Sequence, residues 1–347
     1  MPLRRRATLT AVALAAALSL AACGSSDGKD GSGSDGGNGS GKKADVATGG
    51  KDFAKAGERT ATFGTTAKAG QFPRTVTMAM GKVTIPAKPK RVVVLDVGEF
   101  DNVVSLGVKP VGWAPTQAGQ GIPGYLKKDA GNPKQVGTIS SLNLEAIANL
   151  HPDLILGSEL RAADKYKELS KIAPTVFSIR PGYTWKSNYL LNAAALGRTA
   201  EAKAELAAYG AKAAALKKDL GPHEPTVSMV RYMPGRLRLY GEDSFIGTIL
   251  KDTGLPRPKN QQEDELAIEI SPEKIDEANA DWVFTGVYGD PAKTDEAAAT
   301  SNPLWKNLPA VKDGHAKTVK DETWYLGLGV TAANSVLDDL RTYLVHT

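Results

Sequence analysis

Two segments of similar sequence lie 128 residues apart, and this internal repeat constrains the fold of the 347-residue chain more than any other feature. The first segment carries Glu145 and Asp153, and the second carries Glu273 and Asp281 at the same spacing. Each copy offers a polar residue that can cap a helix, a glutamate in the first turn of that helix, and then an apolar run typical of a buried strand. The repeat predicts two similar halves, each presenting one carboxylate at an equivalent helix start.

The globular region, from about residue 71 onward, alternates between strand-like and helix-like patterns. Residues 91–95, for example, form a β-branched run that predicts a buried strand. Residues 185–220 contain no proline and are rich in Ala, Lys, Leu and Glu, which predicts a single helix roughly 50 Å long. We therefore expect an α/β fold of two lobes, 71–184 and 221–347, with mainly parallel sheets covered by helices and with that helix as the bridge. A single domain with one long surface helix is the alternative.

The N-terminal part of the chain has the composition of a targeting leader followed by a linker. Three consecutive arginines precede a short apolar run and then Leu-Ala-Ala before Cys23, so residues 1–22 are expected to be a secretory signal peptide. The alternatives are an uncleaved anchor or a cysteine placed there by chance. Residues 24–50 contain ten Gly and five Ser, and we expect 23–70 to be a flexible tether.

Composition excludes several classes of protein. The only cysteine has no partner for a disulfide, and a chain with 41% hydrophobic and 23% charged residues is not expected to be disordered throughout. Three of the 43 basic residues belong to the leader, so its removal leaves 40 basic against 38 acidic residues, and nucleic acid is not an expected partner. The spacing of the four histidines is not that of a metal site, so we expect no metal site in this chain. They are His151, His223, His315 and His346.

Several short motifs, in a fixed order behind the cysteine, resemble one family. They fall at residues 89–95, 106–112, 151–156, 169–175, 302–305 and 324–327. Together with Leu-Ala-Ala-Cys, which resembles the lipobox of bacterial lipoproteins, they resemble the iron-siderophore substrate-binding proteins of ABC importers over about residues 71–345. The resemblance implies two α/β lobes joined by one long helix, a shallow cleft between them, and limited closure on binding.

The resemblance also implies roles for three residues. Cys23 would be diacylated after the leader is removed, which would anchor the protein to the outer face of the cell membrane without a spanning helix. Glu145 and Glu273 would dock on arginines of the membrane permease, because two carboxylates on a rigid body can set orientation as well as attraction. The alternative for both glutamates is that each complements a helix dipole, an effect of about 0.3–1 kcal/mol.

The implied ligand is a ferric siderophore, whose iron is already held by the chelate. Its receptor needs aromatic walls and hydrogen-bond donors, and no cofactor or metal ligand of its own. We expect these residues on loops at the carboxyl ends of parallel strands, and the resemblance implies an aromatic residue at position 324. The candidates are Arg161, Arg231, Tyr232 and Arg236, with the aromatic residues Trp324, Trp185, Trp113 and Tyr125. The alternative for Arg161 is a solvated charge at a helix start. The last three aromatic residues are equally expected to be packing residues.

The sequence thus predicts a monomeric, lipid-anchored receptor, not an enzyme, that captures a ferric siderophore and delivers it to an ABC permease. A hydroxamate is expected over a catecholate, because a triply anionic catecholate complex favours more convergent basic groups than the candidates supply. A haem or cobalamin receptor of the same fold is the main alternative. A secreted hydrolase and a purely adhesive surface lipoprotein are further alternatives, although no Ser, His and Asp constellation supports the hydrolase.

Overall fold

The computed structural model describes residues 45–50, 52–222 and 224–345, which lie within one compact unit, Gly33–Thr347. The predicted leader and Cys23 lie outside the described residues. The strands are β1 (Asp45–Ala47), β2 (Arg74–Met78), β3 (Gly81–Ile85), β4 (Val92–Val94), β5 (Gly112–Trp113), β6 (Lys134–Gln135), β7 (Gly137–Thr138), β8 (Ser141–Leu142), β9 (Leu154–Ser158), β10 (Thr175–Ser178), β11 (Val227–Met233), β12 (Arg236–Tyr240), β13 (Ala267–Ile270), β14 (Trp282–Val287) and β15 (Ala316–Thr318).

The helices are α1 (Phe53–Ala61), α2 (Val97–Ser105), α3 (Leu144–Asn149), α4 (Glu159–Ala162), α5 (Tyr166–Ile172), α6 (Trp185–Leu196), α7 (Thr199–Leu220), α8 (Phe245–Thr253), α9 (Glu296–Ser301), α10 (Pro303–Asn307), α11 (Pro309–Lys312), α12 (Asp321–Trp324) and α13 (Val330–Leu344). Short 3-10 helices occur at Ala163–Lys165, Lys259–Gln261, Pro272–Ala278 and Pro291–Lys293. Within the described ranges, no helix is both long and apolar enough to cross a membrane.

Five parallel strands form the sheet of the first half, in the order β10-β9-β4-β5-β6. The valines of β4 are completely buried in the middle of this sheet. Val92 and Val94 belong to one apolar cluster and Val93 to another, so both faces of the sheet are covered. This is the arrangement expected of a parallel sheet between layers of helices, and it confirms the predicted strand at 91–95.

The sheet of the second half is mixed rather than mainly parallel. Its order is β1-β13-β12-β11-β14-β15, and only the β11–β14 and β14–β15 pairs are parallel. The cause is the two-residue turn at Pro234 and Gly235, which returns the chain directly beside β11 as an antiparallel hairpin. The two-lobed α/β architecture is confirmed, while the prediction of mainly parallel sheets holds for the first half alone.

The connection between the halves consists of two helices, where the sequence predicts one over 185–220. Gly197 adopts a left-handed conformation, with φ of 74°, and ends α6. The chain turns there and begins α7 at Thr199. Gly210, in contrast, is accommodated within α7, which runs for 22 residues or about 33 Å. This helix packs against α6, α8 and α13, so it remains the main strut between the halves.

The ordered fold begins earlier than the predicted tether allows. Residues 45–47 form β1 and residues 53–61 form α1, both within the segment 23–70 that the sequence analysis assigns to the tether. The glycine- and serine-rich composition ends at residue 50, and α1 buries Phe53 and Ala56 on one face. The tether prediction is therefore wrong for residues 45–50 and 52–70.

The internal repeat corresponds to equivalent structural positions. The carboxylate of Asp153, just before β9, accepts backbone N–H bonds from Lys90 at 2.8 Å and Arg91 at 2.9 Å, which precede the adjacent strand β4. The carboxylate of Asp281, just before β14, accepts from the backbone N–H of Thr226 at 2.8 Å, which precedes the adjacent strand β11. In both halves the aspartate holds the start of one parallel strand against the start of its neighbour.

Candidate functional site

A cavity of about 140 Å³ lies between the two halves. Its walls come from residues that follow β9, β10 and β15 and from side chains on β11 and β12. The lining includes four arginines and four aromatic residues, namely Arg161, Arg180, Arg231, Arg238, Tyr240, Phe245, Trp324 and Tyr325. The residues after β9, β10 and β15 place this cavity at the carboxyl ends of parallel strands, where ligands bind in α/β proteins.

On the first half, Arg161 is held by a buried aspartate. Its Nε donates to Asp96 Oδ2 at 3.0 Å, and Asp96 also accepts from the backbone N–H of Val97 as the cap of α2. The Asp96 side chain is completely buried, whereas that of Arg161 is 32% exposed. The terminal nitrogens of Arg161 are not used in this bond. The ion pair thus fixes the guanidinium at the cavity wall and leaves donor groups for a ligand.

On the second half, Arg231 makes a similar but more extensive pair. Its Nε and Nη2 donate to the two carboxylate oxygens of Asp321, both at 2.6 Å, in a bidentate geometry. Its Nη1 donates to the Tyr240 hydroxyl at 3.2 Å. These contacts use three of the five N–H groups of the guanidinium. Each half therefore contributes an arginine whose direction is set by an aspartate.

Two further arginines were not among the sequence candidates. Arg180 follows β10, and its Nη1 donates to the Gly49 carbonyl at 2.8 Å while its guanidinium lies 4.1 Å from the centre of the Phe53 ring. Arg238 lies on β12, and its Nε donates to Glu269 at 2.9 Å. The rule that selects Arg161, a basic residue directly after a parallel strand, applies equally to Arg180. Arg238 has no such signal, because its place depends on the antiparallel hairpin.

The aromatic part of the wall comes from the second half. Trp324 is fully buried; its Nε1 donates to Asp339 at 2.8 Å, and one edge lines the cavity. The rings of Tyr240 and Tyr325 lie 5.0 Å apart. The Tyr325 hydroxyl donates to the carbonyl of Val230 at 2.8 Å. These rings offer the flat apolar surface against which the body of a chelate can pack.

The other candidates do not line this cavity. Tyr232 is 1% exposed and belongs to an apolar cluster of the second half. The reason is that β11 continues to Met233, so Arg231 and Tyr232 are neighbours on one strand and point to opposite faces. Arg236 lies at the start of β12, where its Nε is 3.3 Å from Glu269.

Of the other three predicted aromatic residues, Trp185 and Trp113 are packing residues in this structure, whereas Tyr125 is half-buried. Trp185 is fully buried between α7 and α8, and its Nε1 donates to Thr248 at 2.9 Å. Trp113 is buried against Phe100 with ring centres 5.0 Å apart. The hydroxyl of Tyr125 donates to the Gly327 carbonyl at 3.2 Å. For the two tryptophans, the contacts support the alternative assignment to packing, which the sequence left open. Trp282 and Trp305 are also buried.

Glu99 adds a titratable group behind the first-half wall. It is 2% exposed, and its Oε2 has no hydrogen-bond partner among the described residues. Burial, reinforced by the charge of Asp96, raises the pKa of Glu99 to about 8. Burial therefore favours the neutral form of this side chain, and the carboxylate that pairs with Arg161 is Asp96.

A larger cavity, of about 510 Å³, opens between α2, α7 and α13. Its polar lining includes Lys109, Asp129, Glu205 and Asn334, and Tyr125 forms part of its wall. The charges are of mixed sign, and the cavity lies away from the carboxyl ends of the strands. We assign the functional site to the smaller cavity, because the arginine and aromatic side chains converge there.

No metal centre is formed by the described residues, which contain no group of three His, Cys, Asp or Glu side chains suited to hold an ion. His315 is half-buried and stacks on Trp282 with ring centres 4.2 Å apart. His223 and His346 lie outside the described residues.

The two repeat glutamates are both exposed, but their local structures differ. Glu145 lies in α3, whose first turn is capped by Asn143, with Oδ1 accepting from the N–H of Ala146 at 2.9 Å. Glu273 lies in the 3-10 helix Pro272–Ala278, which Ser271 does not cap. The Ser271 hydroxyl instead bonds the glutamate, and this bond lowers the pKa of Glu273. The predicted N-cap is confirmed in the first copy and wrong in the second.

Two α/β halves that enclose a cleft of arginine and aromatic side chains define a solute-binding protein. The sequence pattern of periplasmic binding proteins matches residues 92–323. The probable siderophore-binding lipoprotein YfiY of Bacillus subtilis (strain 168) is 41% identical over 287 residues, 79% of this chain and 88% of the relative. The chain belongs to the periplasmic binding protein family.

Two further similarities concern ligands. The crystal structure of Staphylococcus aureus SirA complexed with staphyloferrin B is similar with a TM-score of 0.70 and 36% identity, covering 78% of this chain and 98% of that one. The iron(3+)-hydroxamate-binding protein FhuD of Bacillus subtilis (strain 168) is 33% identical over 248 residues, 68% of this chain and 75% of the relative. These relatives are named for different chelates, so the ligand class of this chain has to be argued from its own site.

Proposed function

We propose that this protein is an extracytoplasmic receptor that captures a ferric siderophore between its two halves and delivers it to an ABC permease. The observation that carries the proposal is the convergence of four arginines, two from each half, on one cavity that Tyr240, Trp324 and Tyr325 also line. Guanidinium groups bind anionic oxygens through strong, planar hydrogen bonds. The aromatic rings supply the apolar contact that a bulky organic chelate requires.

We further propose that the chelate presents anionic carboxylate or catecholate oxygens. The sequence-based preference for a hydroxamate depended on a small number of convergent basic groups. Arg180 and Arg238 double the number of arginines at the cavity compared with Arg161 and Arg231 alone. Since a strongly anionic complex favours more convergent basic groups, four arginines at the cavity favour an anionic chelate. The similar structure of SirA holds staphyloferrin B, which is therefore one of the probes for this proposal.

The size of the cavity indicates that binding requires movement. Sites for small organic ligands usually have a volume of about 300–1,000 Å³, whereas this cavity has about 140 Å³. Part of the wall must therefore move before a ferric chelate can enter. No iron ligand from the protein is needed in this scheme, because the chelate holds the metal.

Delivery would use the exposed glutamates of the repeat. Glu145 and Glu273 lie at corresponding positions of the two halves and are free to meet cations on a partner. A pair of salt bridges at fixed separation would orient the receptor on the permease. We propose that Cys23 carries the lipid that keeps the receptor at the outer face of the membrane, as the Leu-Ala-Ala-Cys sequence indicates.

The binding proposal is tested by titrating the intrinsic tryptophan fluorescence with ferric staphyloferrin B, ferric citrate and a ferric hydroxamate. We expect saturable quenching by ferric staphyloferrin B, by ferric citrate or by both, with weaker or no quenching by the hydroxamate. Tight binding of the hydroxamate alone would refute the anionic assignment, and no binding of any ferric chelate would refute the function.

The role of the arginine wall is tested by Arg161→Lys, which retains the charge beside Asp96 but loses the planar set of donors. Hydrogen bonds to charged groups contribute about 1.5–3 kcal/mol, so affinity should fall about 10- to 100-fold. Arg198→Gln, at the junction between α6 and α7, is the control and should leave affinity unchanged. Equal affinity of the Arg161→Lys variant and the wild type would contradict the assignment of this wall.

A further inference from the structure

The segment formed by residues 45–50 and 52–61, here named the strap, contacts both halves of the molecule. Its strand β1 pairs antiparallel with β13 at the edge of the second sheet. Its helix α1 packs on the first half, where the Tyr183 hydroxyl donates to the Phe53 carbonyl at 2.6 Å and accepts from the N–H of Gly57 at 2.9 Å. The strap therefore passes from one half to the other.

Between these two attachments the strap covers Arg180. The Gly49 carbonyl accepts from Arg180 Nη1 at 2.8 Å, and the Phe53 ring lies beneath the guanidinium at 4.1 Å. Gly49 has a φ of 69°, and a Cβ there would lie 2.5 Å from Arg180 Nη2, so the approach depends on glycine. Gly49 is buried and lines the cavity between the halves. As a result, Arg180 is only 6% exposed.

The Gly49 carbonyl binds Arg180 as an oxygen of a ligand could bind it. A backbone carbonyl is a neutral acceptor, placed where an anionic oxygen of a chelate would bind the same guanidinium. A carboxylate or catecholate oxygen makes a charge-assisted bond about twice as strong as a neutral one, so it can compete with the carbonyl. The cavity beside Gly49, of about 140 Å³, is also smaller than the usual site for a small organic ligand.

We propose that the strap is a displaceable occupant of the ligand site, which a ferric chelate replaces at Arg180 on binding. This inference rests on the proposed function. Because the competent form is the one with the strap released, the observed Kd exceeds the intrinsic Kd in proportion to the stability of strap docking. A strap that serves as a permanent wall would have the opposite effect, since loosening it would weaken binding.

The test uses Tyr183→Phe in the full chain, with ferric staphyloferrin B as the probe. Tyr183 lies outside the cavity lining, and the substitution removes only the hydroxyl that holds α1 through two hydrogen bonds. One hydrogen bond corresponds to about a 2- to 10-fold change in an equilibrium constant. Loss of both bonds should therefore increase affinity about 4- to 100-fold. Tyr166→Phe, on α5 and away from the strap, is the matched control and should leave affinity unchanged.

Hydrogen exchange over residues 52–61 provides a second readout. Exchange should be faster in Tyr183→Phe than in the wild type without ligand, and saturation with the chelate should make it faster in the wild type. Unchanged or weaker affinity of Tyr183→Phe, or protection of 52–61 by the chelate, would overturn the strap proposal while leaving the proposed function intact. Absence of chelate binding in both proteins would refute the proposed function itself.

Discussion

Replacing Glu99 with glutamine should remove a large part of the pH dependence of stability. Glu99 is buried beside Asp96, and burial raises its pKa to about 8, compared with about 4.3 in an unfolded chain. The unfolded state therefore releases this proton at a lower pH than the folded state does. Between the pKa of Glu99 in the unfolded state and its pKa in the folded state, the free energy of unfolding falls by about 1.4 kcal/mol for each unit of rising pH.

Between pH 5.5 and pH 7.5 this single group lowers the free energy of unfolding of the wild type by about 3 kcal/mol. Glu99→Gln has nearly the same shape and cannot ionise, so it lacks this loss. The other titrating groups are shared by the two proteins and cancel in the difference. The stability of the variant relative to the wild type should thus increase by about 3 kcal/mol across that interval.

The assay is urea-induced unfolding, followed by tryptophan fluorescence at half-unit steps of pH. Asn102→Ala is the control, because Asn102 is buried on the same helix α2 and carries no titrating group. Its stability should differ from that of the wild type by the same amount at every pH. A Glu99→Gln difference that stays constant within about 1 kcal/mol would refute the reasoning about this buried carboxyl.

Two other predictions concern delivery and the core. Substituting both Glu145 and Glu273 with Lys should abolish uptake of iron from the ferric chelate in cells while leaving the Kd measured by fluorescence unchanged; persistent uptake would contradict the docking proposal. Leu156 is completely buried in β9, so Leu156→Ala should leave a cavity and lower the free energy of unfolding in urea by about 2–5 kcal/mol. Leu160→Ala, at an exposed position, is the control and should change this free energy by less than about 1 kcal/mol.

The features predicted correctly from the sequence are those encoded locally. The repeat of glutamate and aspartate at a fixed offset predicts two equivalent α/β units, and Asp153 and Asp281 do hold equivalent strand starts. The buried strand around Val93 follows from a run of β-branched residues. These patterns lie within short segments of the chain, so they can be recognised without knowledge of the tertiary structure.

The predictions are wrong where tertiary contacts determine the end of a helix, the length of a strand or the position of a side chain. Gly197 ends α6 in a left-handed conformation, where a Cβ would meet the Phe72 ring, whereas Gly210 is tolerated within α7. The sequence does not distinguish these two glycines. Tyr232 was predicted as a loop residue, but β11 extends past it and turns it away from Arg231. Arg238 reaches the cavity only because a hairpin places β12 beside β11.

The strap is the feature furthest from the sequence prediction. Composition up to residue 50 indicates a flexible tether, and nothing local shows that β1 adds to β13 more than 200 residues away. Arg180, which follows a parallel strand as Arg161 does, is the signal that could have indicated the contact. The contact of Arg180 with Gly49 and Phe53 depends on that long-range pairing.

The central claim is that the iron of a bound siderophore lies between the two halves, at the arginine wall. Anomalous diffraction at the iron absorption edge, from crystals of the protein grown with ferric staphyloferrin B, would locate the metal directly. The account predicts a single strong peak in the cleft, with chelate oxygens contacting Arg161 and Arg231. An iron peak in the cavity between α2, α7 and α13, or bonded directly to protein side chains, would contradict it.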